Sequence, residues 1–207
     1  MEVFLDDHDY RMFFAVLGDT TDRYDVECRD YCVMPNHFHL ALVNRQPNLS
    51  DAMQHLKGEY ARWWNWRHKH VGHVFEGPFK DQIVEQDTYA LTLAKYIALN
   101  PVRAKLVERP EQWPWSAYHY VAGFAESPPF LHGDQLLKQF GEAEVDVLRK
   151  RYTDYIEGVT DQESVRFEVF RSRQRVLGSR QFKCMLNGSR SVAHAGSLAE
   201  GEIAASI

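Results

Sequence analysis

Tyr31-Cys32-Val33-Met34-Pro35-Asn36-His37-Phe38-His39-Leu40-Ala41-Leu42-Val43 is an apolar run with a Pro-Asn turn at its middle. It predicts an antiparallel hairpin: one strand over Tyr24 to Val33, a turn at Pro35-Asn36, and a return strand over His37 to Val43. Residues two apart on a strand share a side. His37 and His39 therefore aim two imidazoles at one point, and a metal ion is the natural occupant. Phe38, Leu40 and Leu42 would face the core, leaving His37, His39 and Ala41 on the other side. Two solvated histidines are the plainer alternative, and a zinc set that adds Cys28 and Cys32 is a third.

Working outward, Asp6 to Leu17 reads as a helix with an acidic start and Phe13, Phe14 and Leu17 at helical spacing. Asn48-Leu49-Ser50 caps a long helix from about Asp51 to His68. After a Gly72–Pro78 loop comes a short strand near Phe79 to Glu85. Asp87 is placed to cap a helix through Tyr89, Leu93 and Tyr96 to Leu99. Pro101 begins a further helical turn, and Trp113-Pro114-Trp115-Ser116 closes the unit. Helices alternating with strands around a hairpin predict a small α+β sandwich. Ser127-Pro128-Pro129 reads as a linker. The expected division is a domain over 1–124, a helical extension over 125–185 with helices Asp134 to Gly158 and Gln162 to Leu177, and a frayed tail over 186–207.

The chain has 207 residues, 44% hydrophobic and 26% charged, which allows a real core and excludes global disorder. A net charge of −5 argues against a generic nucleic-acid binder. The charge is uneven, however: Met1 to Asp30 carries nine acidic and three basic residues, whereas Lys57 to Pro110 carries nine Lys/Arg against six Asp/Glu. A locally basic middle can hold a polyanion, or be simply a solvated face. Three cysteines make no disulfide framework and suit a reducing compartment. No apolar run is long enough to span a membrane, so a cytoplasmic protein is expected.

Two histidines leave a divalent ion short of ligands. One oxygen donor plus open positions suits Mg²⁺ or Mn²⁺, which coordinate phosphate oxygens. Lys95-Tyr96-Ile97-Ala98-Leu99-Asn100-Pro101-Val102-Arg103 places Tyr96 and Asn100 on one helix face. Tyr96 is a candidate nucleophile toward a metal-held phosphate, or a buried aromatic of an amphipathic helix. Asn100 is a candidate ligand, or an N-cap before Pro101. Arg62 and Arg67 sit among Trp63, Trp64 and Trp66, a mixture that could grip a nucleic-acid strand by charge and stacking. Three tryptophans in four helical positions cannot share one face, so at least one belongs to the core. Lys80, Arg103 and Lys105 flank the site and could neutralise phosphates, or be solvated surface.

Four motifs in order carry a family resemblance: Met34-Pro35-Asn36-His37-Phe38-His39-Leu40, Gly72-His73-Val74-Phe75-Glu76-Gly77-Pro78-Phe79-Lys80, Tyr96-Ile97-Ala98-Leu99-Asn100-Pro101-Val102-Arg103-Ala104 and Trp113-Pro114-Trp115-Ser116. Over roughly Val3 to Ala122 the chain resembles the REP-associated tyrosine transposases of the single-tyrosine HUH superfamily. The resemblance implies a ferredoxin-like α+β sandwich. It implies Mg²⁺ or Mn²⁺ held by His37 and His39 with Asn100 as third ligand, and Tyr96 as the nucleophile. The implied reaction cuts single-stranded DNA beside hairpin-forming repeats, leaving a 5′-phosphotyrosine and a free 3′-hydroxyl. A homodimer that exchanges the tyrosine helix is compatible with it, as is a decayed homologue that binds hairpin nucleic acid without cutting. The resemblance also implies a strand ahead of Glu2-Val3-Phe4-Leu5, inside the sheet. This chain starts after that strand, so a misassigned start or a truncated remnant is expected, with unpaired edges beside the metal site.

Overall fold

A computed structural model describes residues 1–77, 79–158, 176–177, 179–181, 183–184 and 202–206, with backbone alone for 80, 86–88, 177 and 202–206. In chain order the elements are α1 (Asp7–Tyr24), β1 (Val26–Val33), β2 (Phe38–Asn44), α2 (Leu49–His68), β3 (Lys80–Val84), α3 (Gln86–Ala98), α4 (Asn100–Arg103), α5 (Tyr118–Val121), α6 (Asp134–Lys138), α7 (Val145–Glu157), β4 (Val176–Leu177) and β5 (Glu202–Ser206). This is an α+β fold, as the alternation of patterns implies.

The hairpin forms as the Pro-Asn turn dictates, with Cys32 opposite His39 and Val33 opposite Phe38. A register shift between Cys28 and Asp30 puts the two cysteines on different faces. Cys28 joins the main core, whereas Cys32 packs with Met34, Ala41, Leu93 and Ile97. The outer edge of β1 is covered. Trp113 Nε1 donates to the Val33 carbonyl (3.0 Å), and Ala117 N donates to the Tyr31 carbonyl (2.9 Å). Val33 N in turn donates to the Trp115 carbonyl (2.9 Å). The Trp113–Ser116 motif thus occupies an edge that would otherwise invite another chain.

The sheet order is β1-β2-β5-β3-β4. β5 runs antiparallel to both neighbours, with Leu42 opposite Ile203 and Ile83 opposite the same residue. This corrects two expectations. Glu202–Ser206 is a strand rather than part of a frayed tail, and the inner edge of the histidine strand is paired rather than open. β4 adds to β3 in parallel, so Val176–Leu177 is strand, not a helix end. The rest of the helix expected over Gln162 to Leu177, residues 162–175, lies outside the described residues.

Helices α1 and α2 cover one face. Phe13 and Leu17 of α1 and Met53, Leu56 and Tyr60 of α2 are buried against Phe38, Leu40 and Leu42. Asp6 caps α1, accepting from the His8 and Asp9 amides. α1 runs past Leu17 to Tyr24, because Thr20 and Thr21 bond back to Val16 and Gly18 carbonyls instead of breaking the helix. Asp25, at φ 52°, ends it. Trp64 is the tryptophan that enters the core, while Trp66 stays exposed.

α3 covers the opposite face through Leu93 and Ile97. It starts at Gln86 with Glu85 at the N-cap, so Asp87 lies inside the first turn rather than capping it. The expected Asp134 to Gly158 helix is two helices, broken where Gly141 takes φ 92°. Both lie over α3: Ala90, Ala94 and Ala98 meet Leu136, Leu137, Tyr152 and Ile156.

Candidate active site

The short turn into β2 holds His37 just before the strand and His39 within it. Their Nε2 atoms converge to 3.1 Å. Two nitrogens about 2.1 Å from a shared ion and about 90° apart are separated by about 3 Å, so the pair matches two adjacent positions of an octahedral site. Asn36 Oδ1 lies 2.7 Å from His37 Nδ1. With Nδ1–H donating to Asn36, His37 presents the lone pair of Nε2, which is how a ligating histidine is commonly held. Burial holds both imidazoles below their usual pKa, and His39, depressed further by His37 and Arg103, is pulled to about 3. Neutral imidazoles are the form that binds metal. The histidine face is therefore a buried site under α3, not a solvated strand face.

The zinc alternative is not assembled. Cys28 is on the other face, and burial keeps the Cys32 thiol protonated, against Met34 Sδ at 3.8 Å. Among the described residues no group of three or more His, Cys, Asp or Glu side chains could hold a metal.

Tyr96 is half-buried on α3, with its ring edge-on to His39 at a centroid separation of 5.4 Å. The Arg103 guanidinium lies 5.4 Å from the Tyr96 centroid, and Nη1 donates to the Tyr96 carbonyl (3.3 Å). Asn100 does not cap α4, whose N-cap is Leu99. Its Nδ2 donates back to the Tyr96 carbonyl (2.9 Å), which commits the amide nitrogen and not the oxygen.

The other cations are dispersed. Lys105 ends the α4 turn at φ 58°, exposed, and the backbone of Lys80 pairs with Ser206. Arg62 and Arg67 are on α2, across the sheet from α3. Arg62 pairs with Glu59 (2.7 Å), and Arg67 binds Asp6 (2.7 Å) and the fully buried Asp9, beside Trp63. The sequence reading missed Asn36 as the partner of His37. A short amide side chain directly before a histidine in a tight turn was the available signal.

Residues 2–100 match the family model described as "Transposase IS200 like". A protein of Haemophilus influenzae (strain ATCC 51907 / DSM 11121 / KW20 / Rd), named "Putative REP-associated tyrosine transposase", is 24% identical over 118 residues, 52% of this chain and 67% of that protein. No solved structure matches. Among the described residues no helix is long and apolar enough to cross a membrane.

Proposed function

Since residues 2–100 belong to the IS200-like transposase family, we propose that this chain cleaves and rejoins single-stranded DNA beside hairpin-forming repeats, in the cytoplasm, with Tyr96 as nucleophile. The observation that carries this reading is the placement of the Tyr96 ring against His39, whose Nε2 converges with that of His37. His37 and His39 would hold Mg²⁺ or Mn²⁺, with the Asn100 carbonyl oxygen as third ligand. That ion would supply Lewis-acid stabilisation of charge on the phosphate. The Tyr96 oxygen attacks phosphorus and loses its proton. The bond from phosphorus to the 3′ oxygen breaks, that oxygen takes up a proton, and the 5′ phosphate stays on tyrosine. Attack by a 3′-hydroxyl reverses the step and rejoins strands.

Arg103, beside Tyr96, faces the developing phosphate charge, and Lys105 continues the cationic edge. Lys80 serves as a wider phosphate contact, whereas Arg62 and Arg67, across the sheet and paired with Glu59 and with Asp6 and Asp9, are not part of this edge. A labelled hairpin oligonucleotide mixed with protein and Mn²⁺, then run on a denaturing gel, tests the reading. A covalent adduct present in wild type and absent in Tyr96→Phe is expected. Cleavage at the same position by Tyr96→Phe would exclude Tyr96, and binding without any adduct would favour a nucleic-acid binder.

A further inference from the structure

The residue before Tyr96 has a partner that the proposed chemistry does not use. Lys95 is only 4% exposed. Its ammonium donates to the Gly158 carbonyl at the end of α7 and lies 5.0 Å from the centroid of the Tyr155 ring. A buried ammonium is tolerable only where oxygen or π density replaces water. The C-terminal end of a helix supplies carbonyls with partial negative charge.

The same end of α7 is fastened twice more. Glu157 accepts a hydrogen bond from the Tyr118 hydroxyl (2.9 Å) and lies 3.6 Å from Arg109. Meanwhile the alanine face of α3 lies under α6 and α7, and its Leu93–Ile97 face lies on the sheet beside Ala41. The tyrosine helix is held from both sides, and one side comes from residues beyond the family match at 2–100.

We infer that α6 and α7 form a latch that fixes α3 over its own histidine strand, with Lys95 as the positioning residue that closes it. The catalytic consequence rests on the transposase reading, whereas the structural consequence does not. Releasing Lys95 removes none of the side chains proposed to contact DNA and lets α3, with Tyr96, drift from the His39 ring.

The test compares wild type, Lys95→Met and Lys95→Arg. Amide hydrogen exchange is followed by mass spectrometry, and adduct formation is timed on a saturating hairpin oligonucleotide. In Lys95→Met, exchange over residues 89–98 should rise at least tenfold while that over α1 and α2 stays unchanged. The adduct rate should fall at least tenfold with oligonucleotide affinity unchanged, and Lys95→Arg should restore both. Unchanged exchange in α3, an equal rise throughout the molecule, or parallel loss of affinity would overturn the latch. If wild type forms no adduct, the exchange pattern alone decides the latch and the failure falls on the transposase reading. If Lys95→Met does not fold, Tyr118→Phe, which removes the Glu157 hydrogen bond, provides the comparison, with a smaller rise in α3 expected and no rise overturning the proposal.

Discussion

The Tyr96 and His39 rings meet at 78°, edge to face, and both come from one chain. With the proposed nucleophile beside the proposed ligands of its own chain, a partner's tyrosine is not needed. Mixing Tyr96→Phe protein with His37→Ala protein should therefore form less than about a tenth of the wild-type adduct on a hairpin oligonucleotide. Adduct yields near a quarter of wild type, the share expected when half the dimers are mixed and each has one complete site, would show that protomers exchange the tyrosine helix.

Asn36 holds the His37 ring through Nδ1. Loss of such an outer partner typically costs about 10–100-fold in metal affinity. Asn36→Ala should weaken Mn²⁺ binding by that order in calorimetry while leaving the far-ultraviolet circular dichroism unchanged. Unaltered affinity would mean that the turn backbone alone aims the ring.

The depressed His39 pKa sets a pH dependence in metal-free protein. Its pKa falls from 6.5 to about 3 on folding, so between those values the unfolded chain binds more protons. Folding is then favoured by rising pH, and acidification below about pH 6.5 removes stability with a slope approaching about 1.4 kcal/mol per unit for this one group. His37, shifted the same way, adds to the slope. Urea melts in chelator across pH 4–7 should show wild type steeper than His39→Phe; equal slopes would refute the assignment.

Asp9 is fully buried and gathers Arg67, His68 (2.9 Å) and the Leu5 amide (2.8 Å), tying α1 to α2. Asp9→Ala should cost about 3–5 kcal/mol, as expected when one member of a buried ionic cluster is removed. A midpoint within about 0.5 kcal/mol of wild type in urea denaturation would show that the cluster is only a surface pair.

Removing residues 202–207 takes a hydrogen-bonded neighbour from both β2 and β3. A loss on the order of 3 kcal/mol or more is expected, from several ladder bonds of about 0.5–1.5 kcal/mol each. Mn²⁺ affinity should fall with it. Unchanged melting and metal binding in the shortened chain would show that β5 contributes nothing to the site.

The hairpin, the histidine pair and the Tyr96 helix were legible because their signals are local. A Pro-Asn turn, a two-residue spacing and an apolar helix period each lie within a dozen residues. α1 outran its expected end because threonines can bond back within a helix as readily as break it. The placement of Glu202–Ser206 was invisible for a different reason: a short polar-flanked segment carries no record of which distant edge it joins. Nor does a lysine in a helical pattern announce that it will be buried against the end of another helix, as Lys95 is.

The pairing of Leu42 with Ile203 joins residues separated by most of the chain. Contacts of such long range are slow to form, since loop closure precedes any gain from the ladder. On a ribosome the histidine strand emerges well before its inner neighbour, so the sheet beside His39 closes only after the helices between them have been made. A sheet built this way is assembled late by its own chain order, and a chain arrested before Glu202 carries Tyr96, His37 and His39 without the strand that pairs with β2 and β3.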